Sequence, residues 1–566
     1  MHTRILTSVL ATAVAAALTL SLMGLGETSK DPAAGAPAVK STKVTKPNIV
    51  FVMADDMRAD DLRFMPSLNE LVTARGLKFR NSFSPYPLCC PSRATFLSGQ
   101  YAHNHKVLEN SAPFGFGSFD DSRTIATALQ DAGYRTGFVG KYLNNYGIDR
   151  SKVTGERSWR YVPRGWTDWY AALQVPRRLQ DRYPEGGTYD YFNTIFNVNG
   201  RTDDSHDGEY QTGVLGRFSR RLVTEYSRTD QPFFLYLSAL APHSGRPHEP
   251  DDTETARQSD GQISEFKTPA RPDWVKGRFD DKLRRSPGLP ANGGPSEADV
   301  SDKPLAVQNP ELNRDERRIT TGLARQRAES LAVLDAQIQR LAQRLRDRGE
   351  LDETVFVFTS DNGFFLGEHR FRTGKRMGYE PSIRVPLVIA GPGIPHGIRN
   401  DPTMTQDLTA TIVDLAGAEA PRHPDGRSLV PSFAEDRGWT VPIVTEGIIG
   451  DRPQPPEELR QQRGFTDPRT SIGIRTARYK LLRDVSGTVE LYDLELDPNE
   501  LESVADDPDY REIRKQLTRL WRRYKDCAGP ECREPLPANL AMSPNQAATS
   551  TKTQSEGVLA RFGLVY

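Results

Sequence analysis

The chain has 566 residues, 74 Lys+Arg against 74 Asp+Glu, and four Cys. That length suits two to four ordinary domains or one large α/β unit. Zero net charge gives no general reason to expect nucleic acid or an anionic membrane as partner, and so few Cys exclude a disulfide framework.

Arg4 precedes an apolar run over residues 5–25 that meets no charge until Glu27. Residues 1–26 therefore read as a secretory signal, with cleavage favoured over retention as an anchor. The expected location is secreted or extracytoplasmic, with no stable membrane partner unless the segment is kept. Residues 27–46 lack periodicity and read as a flexible spacer.

From Pro47 onward, buried strands and helices alternate. Asn48-Ile-Val-Phe-Val-Met53 is a continuous apolar run bounded by Pro47 and Asp55-Asp56. Similar runs fall at 137–139, 233–237, 355–358 and 385–389. Runs of that length and β-branched content predict strands covered on both faces. Between them, Leu331, Leu334, Ile338, Leu341 and Leu345 are spaced 3, 4, 3, 4 and predict a helix over 324–348, stopped by Gly349. The alternation argues for an α/β domain over 47–438: a large, mixed but mostly parallel sheet between helices. Residues 248–313 are rich in Pro, Gly, Asp, Arg and Ser, too long for a routine connection. They read as an insertion, mobile or overhanging a site. Short strands at 476–482 and 489–494 around a turn at 485–487, then a helix over 509–524, predict a smaller antiparallel α+β domain over 439–535. Residues 536–566 read as a polar, frayed tail.

In an open α/β sheet, ligands gather beyond the C-terminal strand ends. Two predicted strands end there in oxygen donors: Asp55-Asp56 and Asp361-Asn362. Such a set suits a hard divalent cation rather than zinc. The bland reading is that each pair caps a turn or helix.

Cys89-Cys90-Pro91-Ser92-Arg93 places Pro where a first helical turn tolerates it. Cys89 then stands just before a helix N-terminus, where free N–H groups favour anions, and Arg93 adds charge one turn on. Two buried or bonded cysteines are the plain alternative. Adjacent free thiols in an oxidising compartment call for a chemical reason.

This motif, with the following Leu97-Ser98-Gly99, resembles the signature of the formylglycine-dependent sulfatases of the alkaline-phosphatase-like superfamily. Further blocks agree in order: 47–56, Gly140-Lys141-Tyr142, Ala241-Pro242-His243, 359–363, Gly374-Lys375 with Tyr379-Glu380, and Tyr492-Asp493-Leu494 with Asp497-Pro498 and Glu500. The resemblance spans roughly residues 47–532. Tyr101-Ala102-His103-Asn104-His105, residues 140–144 and Pro163-Arg164-Gly165-Trp166 resemble the branch of N-acetylglucosamine-6-sulfatases and heparan endosulfatases.

The resemblance implies a sulfuric ester hydrolase acting on a sulfated sugar or glycan. It implies that a formylglycine-generating enzyme converts Cys89 to 3-oxoalanine (formylglycine). One Ca²⁺ is implied at Asp55, Asp56, Asp361, Asn362 and residue 89. A hydrated aldehyde offers one hydroxyl to attack sulfur and a second to expel the sulfate, which serine cannot do. Arg93 is expected to orient the residue 89 side chain and the acids. Lys141 and Lys375 are expected to hold sulfate, and His243 to bind it or protonate the leaving oxygen; His103 is a further substrate-binding candidate. The chain departs from the family where Leu143 replaces the histidine of Lys-x-His, leaving His103, His105 or His369 to substitute. Two alternatives stay open: a phosphonate monoester or phosphodiester hydrolase of the same fold, and an inactive carbohydrate-binding relative. Cys527 and Cys532, five residues apart in an exported chain, are expected to form a disulfide.

Overall fold

The computed structural model describes residues 46–73, 75–182, 186–252, 255–449 and 468–564. The signal and nearly all of the spacer read from the sequence lie outside these residues. The strands, in chain order, are β1 (Asn48–Ala54), β2 (Gly76–Phe83), β3 (Arg135–Lys141), β4 (Asp168–Ala172), β5 (Phe196–Val198), β6 (Arg201–Asp203) and β7 (Phe233–Ser238). There follow β8 (Thr255–Arg257), β9 (Ile263–Glu265), β10 (Thr354–Ser360), β11 (Leu387–Ala390) and β12 (Gly397–Met404). The last four are β13 (Ile443–Gly447), β14 (Ser471–Arg475), β15 (Tyr479–Asp484) and β16 (Val489–Asp493).

Ten of them form one twisted sheet in the order β12-β2-β11-β10-β1-β7-β3-β4-β5-β6. Its centre, β10-β1-β7-β3-β4, is parallel throughout. The strand pleat explains why β1 is apolar at every position from Ile49 to Ala54. Ile49, Phe51 and Met53 enter one core, while Val50, Val52 and Ala54 enter the other.

The first core is covered by α1 (Cys89–Ser98), α2 (Ile125–Asp131) and α5 (Thr405–Leu415). The second is covered by α3 (Gln211–Tyr226) and α4 (Arg314–Asp347). The predicted leucine stripe of α4 is fully buried there, each side chain contributing about 1.5–3 kcal/mol. The helix starts ten residues before the predicted boundary, because Asn313 caps it and Glu316 closes a capping box.

The C-terminal sheet, β13-β14-β15-β16, is an antiparallel meander with α6 (Arg511–Tyr524) packed on it. Its first two strands escaped the sequence reading. Two expectations need correcting. The described part of the expected tail, residues 536–564, is not frayed: α7 (Pro544–Phe562) begins at a Ser543 capping box and buries Ala547, Val558 and Phe562. Its buried face also contains Ser550, Thr551 and Gln554, so the residue types concealed the packing. The insertion 248–313, though irregular, is anchored. Phe266, Phe279 and Leu283 pack against α4, and buried Glu297 pairs with Lys303 and His369.

Candidate active site

Four neighbouring parallel strands deliver the predicted residues to one sheet edge. β10 runs into Asp361-Asn362, β1 into Asp55-Asp56, and β7 into the loop ending at His243, while β3 ends on Lys141 itself. Register pairs Ala54 with Ser360 and Met53 with Ser238, so these ends are level. α1 crosses the edge, with Cys89 as its first residue, inside the helix rather than just before it.

Gly140 permits the closest approach. Its φ is +115°, and a Cβ there would stand 1.9 Å from the Ser238 carbonyl oxygen. Ser238 donates to the Lys141 carbonyl and accepts from Arg93 Nη1, so it joins β7 and β3 to α1.

The polar contacts then interlock. Arg93, 1% exposed, donates from Nε to Asp361 Oδ2 at 2.9 Å, and its Nη2 lies 3.2 Å from Asp55 Oδ2. The Asp56 amide donates to Asp361 Oδ1 at 3.0 Å. Asn362 Nδ2 donates to Asp56 Oδ1 at 2.8 Å. Cys89 Sγ lies 3.4 Å from Asp55 Oδ1 and 3.0 Å from Lys375 Nζ. Lys141 Nζ pairs with Asp55, and Lys375 Nζ pairs with Asp56. His243 Nε2 is 3.7 Å from Asp56 Oδ2, while its Nδ1 is 2.6 Å from the Ser244 carbonyl oxygen, which can only accept. That carbonyl places the proton of a neutral ring on Nδ1.

Burial would raise the pKa of Asp55, but the charges of Lys141, His243, Arg93 and Lys375 outweigh it and hold the carboxyl well below its usual range. At Asp361, burial and then the repulsion of Asp55 win over Arg93 and push the carboxyl up to about 6. Burial pushes His243 down to about 4. Burial and the Asp55 charge push the Cys89 thiol up to about 12. As encoded, that thiol is protonated at neutral pH, a poor nucleophile and a poor metal ligand.

The donor set fits a hard divalent cation. Asp55 and Asp56 bring carboxylate oxygens within 4.8 Å of one another and of the residue 89 side chain and a His243 ring nitrogen, so the oxygen donors converge where residue 89 stands. Asn362 Oδ1 is buried without a hydrogen-bond partner, a spare oxygen donor beside the acids. Two ammonium groups meanwhile rest on carboxylates in the positions a cation would neutralise.

The structure brings together Asp55, Asp56, Cys89, Arg93, Lys141, His243, Asp361, Asn362 and Lys375. His103 is placed elsewhere. Its Nδ1 meets Glu446 at 2.9 Å and its Nε2 meets the Cys527 carbonyl at 2.7 Å, so both nitrogens serve the C-terminal contact rather than substrate. Nor do the other two candidates replace the missing histidine. His105 bonds Thr95 and the Val107 amide, and His369 bonds Glu297. Leu143 lies in the core. Tyr189 was missed. Its ring packs 4.9 Å from Lys141 Nζ and 5.1 Å from the His243 ring, and its hydroxyl accepts from Asn144 at 2.7 Å. No spacing rule points to it. Cys527 and Cys532 are bonded, with Cα atoms 5.2 Å apart, whereas Cys89 and Cys90 are free.

A parallel sheet whose strand ends gather three carboxylates, an amide and three fixed cations around one buried residue defines a hydrolase for anionic esters. Residues 47–418 match the family described as Sulfatase, and residues 463–526 match the C-terminal region described as N-sulphoglucosamine sulphohydrolase. The chain therefore belongs to the sulfatase family and is a sulfuric ester hydrolase of alkaline-phosphatase-like fold. It is 27% identical to human N-acetylglucosamine-6-sulfatase over 87% of this chain and 86% of that protein. It is 29% identical to the Drosophila melanogaster extracellular sulfatase SULF-1 homolog over 69% of this chain, spanning only 32% of that protein's length. A structure described as in complex with its substrate D-glucosamine-2-N,6-O-disulfate aligns with TM-score 0.62 and 21% identity over 86% of this chain and 98% of that one. The phosphonate monoester hydrolase of Silicibacter pomeroyi aligns with TM-score 0.59 and 23% identity over 88% and 99%.

Proposed function

We propose that the chain is an exported sulfatase that removes a sulfate monoester from a sulfated sugar or glycan of the glucosamine 6-sulfate kind. Residue 89 is converted to formylglycine by a formylglycine-generating enzyme, and Ca²⁺ is held by Asp55, Asp56, Asp361, Asn362 and residue 89. The observation that carries this reading is the placement of Cys89. It is fully buried between Asp55, Asp56 and Lys375, in a cage whose nearest groups suit a metal and an anion rather than a thiol. The substrate class is drawn from the relatives that the chain resembles over most of its length. Export is supported by the apolar N-terminal run.

Bound metal would supply positive charge for the sulfate oxygens, and the hydrated aldehyde would supply the nucleophile. The chain's own residues divide the remaining work. Arg93 fixes Asp361 and Asp55 and is itself held by Ser238 and the Lys141 carbonyl. Lys141 and Lys375 lie on the carboxylates; once those charges are matched, the ammonium groups are free to turn to sulfate oxygens. His243 faces the acids through Nε2. The negative charge of an arriving ester favours its protonated form, which then holds a proton at Nε2 for the leaving oxygen.

The test is mass spectrometry of the peptide that contains residue 89, followed by rate measurements. Replacing CH₂SH by CHO lowers the residue mass by about 18 Da. The mature protein is expected to show that loss and to cleave sulfate esters of glucosamine faster than a phosphonate monoester. An unmodified Cys89 in fully active protein would overturn the proposal. Faster turnover of the phosphonate monoester would reassign the substrate class, and unmodified, inactive protein would favour a carbohydrate-binding role.

A further inference from the structure

We infer that Arg327 is a positioning residue that holds three of the strand-end loops of the active site in register. It projects from α4, is 2% exposed, and meets each loop at one point. Nη2 donates to the carbonyl of Asp56, after β1. Nη1 donates at 3.2 Å to the carbonyl of Pro242, after β7 and immediately before His243. The guanidinium lies 4.0 Å over the ring of Phe364, two residues beyond Asn362, after β10.

The chemistry of the contact argues for position rather than stability. A buried charge is expensive, and an apolar side chain of similar volume commonly stabilises a core as well or better. Neither hydrogen bond of this guanidinium goes to a carboxylate; both go to loop carbonyls, and Nε has no hydrogen-bond partner. Only a planar fork can reach two carbonyls on separate loops and stack on a ring at once. One of those carbonyls belongs to Asp56, a non-glycine residue at φ +67°. That conformation persists where the surroundings impose it. Arg327 thus links the acids, the histidine and the Asp361-Asn362 turn to one rigid helix.

The inference rests on the reading of this pocket as the metal and sulfate site, and the test separates the two. Hydrogen exchange is measured on metal-free wild type, Arg327→Met, Arg327→Lys and Arg372→Met. The last breaks a buried pair with Glu316 on the same helix; Arg372 sits further along the connection after β10, and its hydrogen bonds go to Glu316, Pro310 and Arg370 rather than to any of the three segments followed below. Arg327→Met is expected to speed exchange about tenfold or more in peptides over 54–58, 240–244 and 360–365 together, against an unchanged β-sheet background. Arg327→Lys, which keeps the charge but reaches one carbonyl, should fall between and serves if the methionine variant does not fold. Calorimetric Ca²⁺ titration should show affinity about 10–100-fold weaker, the usual effect of losing an outer-shell partner, and kcat should fall while KM stays within about twofold. Loops that exchange as in wild type, or acceleration spread over the whole chain as in Arg372→Met, would overturn the inference. A wild type that binds no Ca²⁺ overturns the metal reading instead, and the exchange data still decide the role of Arg327.

Discussion

Glu446→Gln tests the reassignment of His103 from substrate binding to structure. Glu446 is 1% exposed and accepts from His103 Nδ1 at 2.9 Å and from Arg469 Nη1 at 2.6 Å. Burial opposes its charge, but these partners win and hold the carboxyl at about 2 against an ordinary 4.5. At about 1.4 kcal/mol per unit that is roughly 3 kcal/mol, an upper figure because one set of contacts serves both partners. Glu446, with its pKa depressed, contributes stability that is present above pH 4.5 and lost as pH falls toward 2. His103 is raised: burial would lower it, but the Glu446 charge and hydrogen bond outweigh that. Its contribution is present below about pH 6.5 and lost as pH rises through its folded pKa. The melting temperature of Glu446→Gln should therefore lie furthest below wild type between about pH 4.5 and 6.5. The gap should narrow on both sides, incompletely at high pH because Arg469 stays charged. Scanning calorimetry from pH 3 to 9 measures this, with kcat/KM taken well below both transitions. A gap that does not depend on pH refutes the electrostatic account. A loss of kcat/KM beyond about tenfold at unchanged stability would return His103 to the substrate.

Cys89→Ser should fold normally and lose at least about a thousandfold in kcat, since serine has no second hydroxyl to release the sulfate; turnover within tenfold of wild type would remove the formylglycine mechanism. Lys375→Met should bind Ca²⁺ more tightly in calorimetry while kcat/KM falls, because the ammonium competes with the cation for Asp56; weaker binding would show that the lysine supports the metal. Gly140→Ala should lower the melting temperature by several degrees, an effect of about 3 kcal/mol or more, since its Cβ meets the Ser238 carbonyl and its φ is left-handed. Wild-type stability would refute the close approach. Replacing Cys527 and Cys532 by Ala should cost about 2 kcal/mol, the value for so short a loop, with activity kept; a catalytic defect would tie the clip to the site.

The parts legible in the sequence are those in which one local pattern carries the physics. β1 and β10 announce themselves as apolar runs ending in acids, and α4 as a leucine stripe. The blocks around Cys89, Lys141, His243 and Lys375 locate residues that the topology then brings to one edge. Contacts made by polar side chains at long range were not legible. α7 buries Ser550, Thr551 and Gln554, residues that composition assigns to solvent. The insertion is anchored by contacts among Lys303, Glu297 and His369, three polar side chains that look like surface until they meet. Arg327 reads as the polar side of an amphipathic helix, Tyr189 as a loop aromatic, and Ser238 as the last residue of a strand. Their roles exist only in the assembled sheet edge.

The burial of Cys89 also imposes an order in time. The residue is 0% exposed beneath Lys375, and β1 beside it is flanked by β7 and β10, which come far later in the chain. Under the proposed conversion, a catalyst that oxidises Cys89 would have to reach it before those strands insert. Roughly 290 residues separate Cys89 from Lys375. At ~5–20 residues per second of synthesis, Lys375 emerges about 15–60 s after Cys89, so the thiol stays uncovered for at least that long. Strand order would thus set a clock for the proposed maturation. Variants that let the N-terminal half close early would leave the thiol sealed in, well folded and chemically unfinished.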